Sequence, residues 1–130
     1  MTNCSRALVV EDDPAIRRLV EKLLQRRGME IETAHDGQQA IEKIAAGGGY
    51  AILVLDLMLP GASGYEIIDY IKRSGVELPV VVVSAVSQQA LSKLDLDVVK
   101  LVISKPFDVN EFTEGVARIC GEAKTTRTQA

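Results

Sequence analysis

The stretch LVLDLMLPGASGYEI, residues 53–67, places a single charge, Asp56, inside a run from Leu53 to Leu59 that is otherwise Leu, Val and Met. Such a run is expected to be a buried strand. An isolated buried carboxylate is costly unless something pairs with it. The fold follows from asking which kind of sheet buries this strand on both faces. The function follows from asking what accompanies Asp56.

The 130 residues suffice for one domain with its own core, and the 47% apolar and 25% charged composition is that of a globular protein. A net charge of −3 and a pI near 5.2 argue against direct binding of nucleic acid or an anionic membrane. No apolar run approaches bilayer length, and the N-terminus lacks a signal-peptide core. Cys4 and Cys120 are too few for a disulfide framework and read as reduced thiols, so a cytoplasmic protein is expected.

Besides Ala51 to Leu55, continuous apolar runs at Ala7 to Val10 and Pro79 to Val83 read as strands covered on both sides. Glu30 to Ala34 alternates like an edge strand, and a short fifth strand is expected near Lys100 to Ile103. Helical stripes fill the gaps: Ile16, Leu19, Val20, Leu23 and Leu24; Ala40, Ile41, Ile44 and Ala45; Ile67, Ile68 and Ile71; and Phe112, Val116, Ile119 and Cys120. Asp13 and Pro14 predict a helix start, while Gly28, Gly47 to Gly49 and Gly75 predict helix ends. Alternating strands and helices predict a doubly wound α/β parallel sheet, whose working crevice lies beyond the carboxyl ends of its strands.

Those ends are polar. The first strand runs into Glu11-Asp12-Asp13, the third into Asp56, the fourth into Ser84 and the fifth into Lys105. If the first and third strands are neighbours, Glu11, Asp12 and Asp56 crowd together. Two carboxylates about 5 Å apart repel by roughly 3 kcal/mol at an effective dielectric of about 20. Such a cluster takes up protons or a hard, oxygen-seeking cation, Mg²⁺ in the first place with Mn²⁺ as a substitute. Lys105 and Ser84 complete a space suited to a phosphoryl group on Asp56 as nucleophile.

Each residue also has a plainer explanation. Glu11 and Asp12 suit a helix entry, Asp13 is assigned to capping, and Asp56 could be the ion-pair partner of Lys105. Ser84 alone carries no signal, His35 reads as a surface residue, and Lys105-Pro106 as a turn whose X-Pro bond is open to the cis form. As a set, the plain readings require four coincidences at one sheet edge.

The set resembles the receiver domain of two-component response regulators, over nearly the whole chain. LVVEDDPAIRR (8–18) resembles the first strand, acidic pair and helix entry of the family. LVLDLMLPGASG (53–64) resembles its phosphoacceptor segment, with Pro60 and Gly64 four and eight residues after Asp56. VVVSA (81–85) resembles its hydroxyl motif and SKPF (104–107) its lysine–proline motif. The resemblance implies a flavodoxin-like five-stranded sheet in the order 2-1-3-4-5. It implies that Asp56 accepts a phosphoryl group from a sensor histidine kinase or a histidine phosphotransfer protein. Asp12 would ligate Mg²⁺ directly, Glu11 through water, and the carbonyl of Met58 would be a third protein ligand. Ser84 would move toward the phosphoryl group with Ala85 leaving room, and Lys105 would pair with both forms of the site. The result would be a switch acting on an output partner, with self-catalysed phosphorylation and dephosphorylation rather than enzymatic turnover. The receiver would occupy residues 1–121, with 122–130 a polar tail or the start of a linker.

Two departures from the family stand out. Val102 occupies the position, three before the lysine, where many receivers have a rotating aromatic ring. The segment from Val86 to Val99 carries mixed strand and helix patterns, so the fourth helix is expected to be irregular or short. These departures motivate an alternative, a receiver-like binding module independent of phosphorylation. A haloacid-dehalogenase-type phosphatase would need a second aspartate where Met58 stands, and a flavodoxin would need a hydroxyl- and glycine-rich loop in place of Glu11 and Asp12.

Overall fold

The computed structural model describes residues 4–85 and 88–129. In chain order the elements are β1 (Arg6–Val10), α1 (Pro14–Gln25), β2 (Glu30–Ala34), α2 (Gly37–Ala45), β3 (Ile52–Leu55), α3 (Gly64–Ser74), β4 (Val80–Ser84), α4 (Gln88–Leu91), β5 (Val99–Ser104) and α5 (Val109–Gln129). The strands form one parallel sheet in the order β2-β1-β3-β4-β5, the flavodoxin-like order expected.

Strand parity divides the core in two. Leu8, Val10, Leu53, Leu55, Val80 and Val82 point to the side covered by α2 and α3, where Ile44, Ile67, Ile68 and Ile71 pack. Ala7, Val9, Ile52, Val54, Val81 and Val83 point to the side covered by α1 and α5, where Val20, Leu24, Phe112 and Val116 pack. Every residue of β3 is buried, as its unbroken apolar run requires. β2 is the edge strand and only Ala34 in it is fully buried, which explains its alternating sequence.

Local chemistry sets the helix ends. The Asp13 carboxylate accepts from the amides of Ala15 and Ile16, and Pro14 fills the first helical position of α1. Ser63 and Glu66 form a reciprocal capping box at α3, a signal present in the sequence that the periodicity argument passed over. Gly75 ends α3 in the left-handed region at φ 76°.

Two expectations change and one holds. Leu19, assigned to the apolar stripe of α1, is 40% exposed, because the buried face turns through Val20, Leu23 and Leu24. The segment after β4 holds a single helical turn, so the shortened fourth helix is observed; residues 86 and 87 lie outside the described residues. Leu94 and Val98 dock on the core through successive turns, while Leu96 points outward at 75% exposure. The second change concerns the thiols. Cys4 and Cys120 are joined in a disulfide, not reduced: Cys4 precedes β1, Cys120 lies on the inner face of α5, and both enter the same core with 5.3 Å between their Cα atoms. Their separation of 116 residues concealed that proximity. The backbone of the segment read as a polar tail continues α5 as far as Gln129. Among the described residues, no helix is long and apolar enough to cross a membrane.

Candidate functional site

Sheet pairing carries the site residues to one edge. The ladder extends one residue past the strands: the Glu11 amide donates to the Ala34 carbonyl, that of Asp56 to Val10, and that of Lys105 to Ser84. Glu11, Asp56, Ser84 and Lys105 are therefore held at adjacent strand ends by backbone bonds, and their side chains gather above the carboxyl edge.

Glu11, Asp56 and Ser84 are the buried polar residues among those described, each at most 5% exposed. Their neighbours account for this burial. The Lys105 Nζ lies 2.9 Å from Asp56 Oδ2 and 3.0 Å from Glu11 Oε1, bridging the two carboxylates. The other Asp56 oxygen, Oδ1, accepts from Ser84 Oγ and from the Met58 amide, each at 3.0 Å. The charge in the greasy run is thus compensated on both oxygens.

Electrostatics follow from the same contacts. Burial pushes the Glu11 carboxyl above its ordinary value, and this outweighs the opposing hydrogen bonds from Lys105 and the Asp13 amide. For Lys105 burial works against the charged form, yet its bonds to Asp56 and Glu11 prevail and raise it. The ammonium is charged at neutral pH. One cation then faces three carboxylates, because Asp12 stands exposed beside the buried pair. Glu11, Asp12 and Asp56 each offer an oxygen within 4.8 Å of the others. An all-oxygen set with surplus negative charge, open to solvent on the Asp12 side, fits a hard divalent cation that keeps several waters.

All five principal site residues expected from the sequence, Glu11, Asp12, Asp56, Ser84 and Lys105, come together. Asp13 caps α1 as assigned. Met58 meets the site through its amide, and its side chain is 63% exposed. His35 is exposed, and the Lys105–Pro106 peptide is cis. Val102 is half-buried and, with Leu91, Ser92 and Ser104, lines a cavity of about 310 Å³ beside the short α4. A Cβ on Gly64 would fall 2.5 Å from the Leu57 Cα and 2.9 Å from the Asp56 carbonyl, so only glycine lets α3 begin this close to the site. Sequence reasoning missed Arg17, whose Nη1 donates to the Glu11 carbonyl at 2.9 Å. A polar residue six positions after Glu11, on the first turns of the helix that follows it, was the available signal.

Known proteins share this fold and parts of this sequence. Relatives include the transcriptional regulatory protein DltR of Streptococcus agalactiae, 35% identical over 82% of this chain and 47% of DltR. The transcriptional regulatory protein TrcR of Mycobacterium tuberculosis is 42% identical over 62% of this chain and 31% of TrcR. The chain therefore spans less than half the length of these curated relatives. Among solved structures, the response regulator TrrA of Thermotoga maritima, in complex with Mg²⁺-BeF, superposes with a TM-score of 0.78 and 32% identity over 88% of this chain and 98% of TrrA. A signal receiver domain from Vibrio parahaemolyticus, 24% identical over 96% of each chain, shares the fold with a TM-score of 0.85. The family described as the response regulator receiver domain matches residues 7–117, from β1 into α5, and the chain belongs to that family.

Proposed function

We propose that this receiver is a phosphorylation-controlled switch in which Asp56 is the phosphoacceptor. The observation that carries this reading is the environment of Asp56, a buried carboxylate facing Lys105 on one oxygen and Ser84 on the other, beside Glu11 and Asp12. An Asp56 oxygen attacks the phosphorus of a phosphohistidine on a sensor kinase or phosphotransfer protein; the phosphorus–nitrogen bond breaks and the imidazole leaves with its electron pair. Lys105 offsets charge on the transferred oxygens, and Ser84 turns its hydroxyl from the carboxylate to one of them. Asp12, Asp56 and the Met58 carbonyl would hold Mg²⁺, with Glu11 contributing through water, and the ion would supply charge neutralisation for the transferred group. Mn²⁺ would serve in its place.

The acyl phosphate adds about −1.5 to −2 charge at the sheet edge. That change biases the switch toward the state an output partner reads. The phosphoryl group resides on the protein and is lost by self-catalysed hydrolysis, so the domain is a signalling phosphoacceptor, not a turnover enzyme. We take residues 1–121 as the receiver and 122–130 as a tail or linker, working in the cytoplasm where histidine phosphodonors act. Incubation with acetyl phosphate and Mg²⁺, or with a cognate kinase, should retard the protein on a phosphate-binding gel, and Asp56→Asn should abolish the shift. No shift under either condition would reject the proposal in favour of a phosphorylation-independent binding module.

A further inference from the structure

The turn that carries Asp12 is held on both sides of Glu11. On one side the Glu11 amide donates to the Ala34 carbonyl at 3.3 Å, extending the β1–β2 ladder. On the other side the Glu11 carbonyl lies beyond the last paired residue of β1, and the Arg17 guanidinium reaches back from α1 to donate to it at 2.9 Å. Two further bonds complete the turn: the Asp13 amide donates to Glu11 Oε2 at 3.1 Å, and Asp13 itself caps α1. Asp12 stands in the middle of this frame, exposed, and its orientation is inherited from the peptides on either side. Arg17 is the member of the frame that ties the helix to the strand end by a side chain from outside the turn.

We propose that Arg17 is a positioning residue for the cation site: by fixing the Glu11 peptide it sets the direction of the Asp12 carboxylate toward Asp56. The inference rests on the Mg²⁺ reading of the acidic cluster. Its sign separates it from the plain electrostatic alternative. If Arg17 acted only as a nearby positive charge, its removal would leave the carboxylates more negative and Mg²⁺ would bind more tightly. If Arg17 positions Asp12, removal weakens binding even though a repelling charge has gone. Losing a group that orients a metal ligand typically costs about 10- to 100-fold in affinity, and a hydrogen bond acting through the backbone belongs at the lower end, roughly tenfold.

The test is an NMR titration of the full chain with Mg²⁺ alone, comparing wild type, Arg17→Met and Arg17→Lys. Methionine keeps the aliphatic stem and removes the donor; lysine restores one. Arg17→Met should raise the Mg²⁺ dissociation constant roughly tenfold. Arg17→Lys should recover most of the loss. In the metal-free spectra, amide shifts should change at residues 11–13 and stay in place at residues 56–58. Should Arg17→Met fail to fold, Arg17→Ala carries the same comparison. Equal or tighter Mg²⁺ binding by the folded variant would overturn the proposal, as would unchanged amides at 11–13. A wild type that takes up no Mg²⁺ would instead bring down the reading of the acidic cluster itself, which is a different result.

Discussion

Lys105 bridges two buried carboxylates that would otherwise repel each other. Its ammonium is 2.9 Å from Asp56 and 3.0 Å from Glu11, and its side chain is only 16% exposed. Removing one partner of a buried ionic group leaves charge uncompensated, at a cost of about 3–5 kcal/mol. Lys105→Ala should therefore lower the urea midpoint sharply in the presence of EDTA. Saturating Mg²⁺ should then recover more stability in the variant than in wild type, since the carboxylates vacated by the ammonium are the ones expected to take the metal. An equal gain in both proteins would mean that lysine and metal do not share those oxygens. At this scale burial and charge agree: burial makes the Asp56 carboxylate costly, and Lys105, the residue to which the proposed phosphoacceptor chemistry assigns a role, offsets that cost.

At the scale of single elements, the edge strand β2 is anchored by a polar cluster. Glu32 receives Lys43 Nζ and Tyr50 Oη, each at 3.0 Å, and pairs with Arg6, whose guanidinium also lies over the Tyr50 ring. The hydrogen bonds from Lys43 and Tyr50 hold the Glu32 carboxyl below its ordinary value of 4.5. The folded protein thus binds fewer protons at this group than the unfolded chain does. The resulting stability is present above 4.5 and is lost as pH falls through the folded value. Glu32→Gln, which keeps an acceptor and removes the charge, should lower Tm at pH 7 by about 1–3 °C, because a half-exposed ion pair contributes less than about 1 kcal/mol. Thermal melts at decreasing pH should show the two proteins converging, and a constant gap would assign the effect to packing rather than charge. The other element with an unusual character, α4, is one turn long, and its successor segment is pinned by Lys72 to Asp95 and Asp97 at 3.5 and 2.6 Å. Val102 lines the cavity beside it, together with Leu91, Ser92 and Ser104.

For the whole molecule, the Cys4–Cys120 bond joins the start of the sheet to the inner face of α5, closing nearly the entire chain. Loop entropy alone gives a cross-link of this span about 4–5 kcal/mol, against about 2–4 kcal/mol for typical disulfides. Reduction, or Cys120→Ser, should lower Tm by on the order of 10 °C for a domain of this size. The reduced wild type and the serine variant should melt together, whether or not reductant is added to the variant. Coincident melts of oxidised and reduced wild type would mean that the bond contributes nothing to folding. Both cysteines are nearly inaccessible, at 4% and 2% exposure, so an oxidised molecule should resist mild thiol reductants until it opens.

The sequence by itself determined the strands, their parallel arrangement and the residues at their carboxyl ends. Apolar period, caps and glycine stops are local signals, and a run such as Leu53 to Leu55 has few ways to be buried. Asp56 was legible because its surroundings make a lone charge improbable. Only the tertiary structure decided which atoms meet: that Lys105 bridges Glu11 and Asp56, that Arg17 braces the acidic turn, that Leu19 faces solvent, and that two distant cysteines share one core. The reason is physical. Periodicity records which face of an element is buried, whereas contacts between residues 116 apart depend on how helices are laid across the sheet, and no local pattern in the chain encodes that placement.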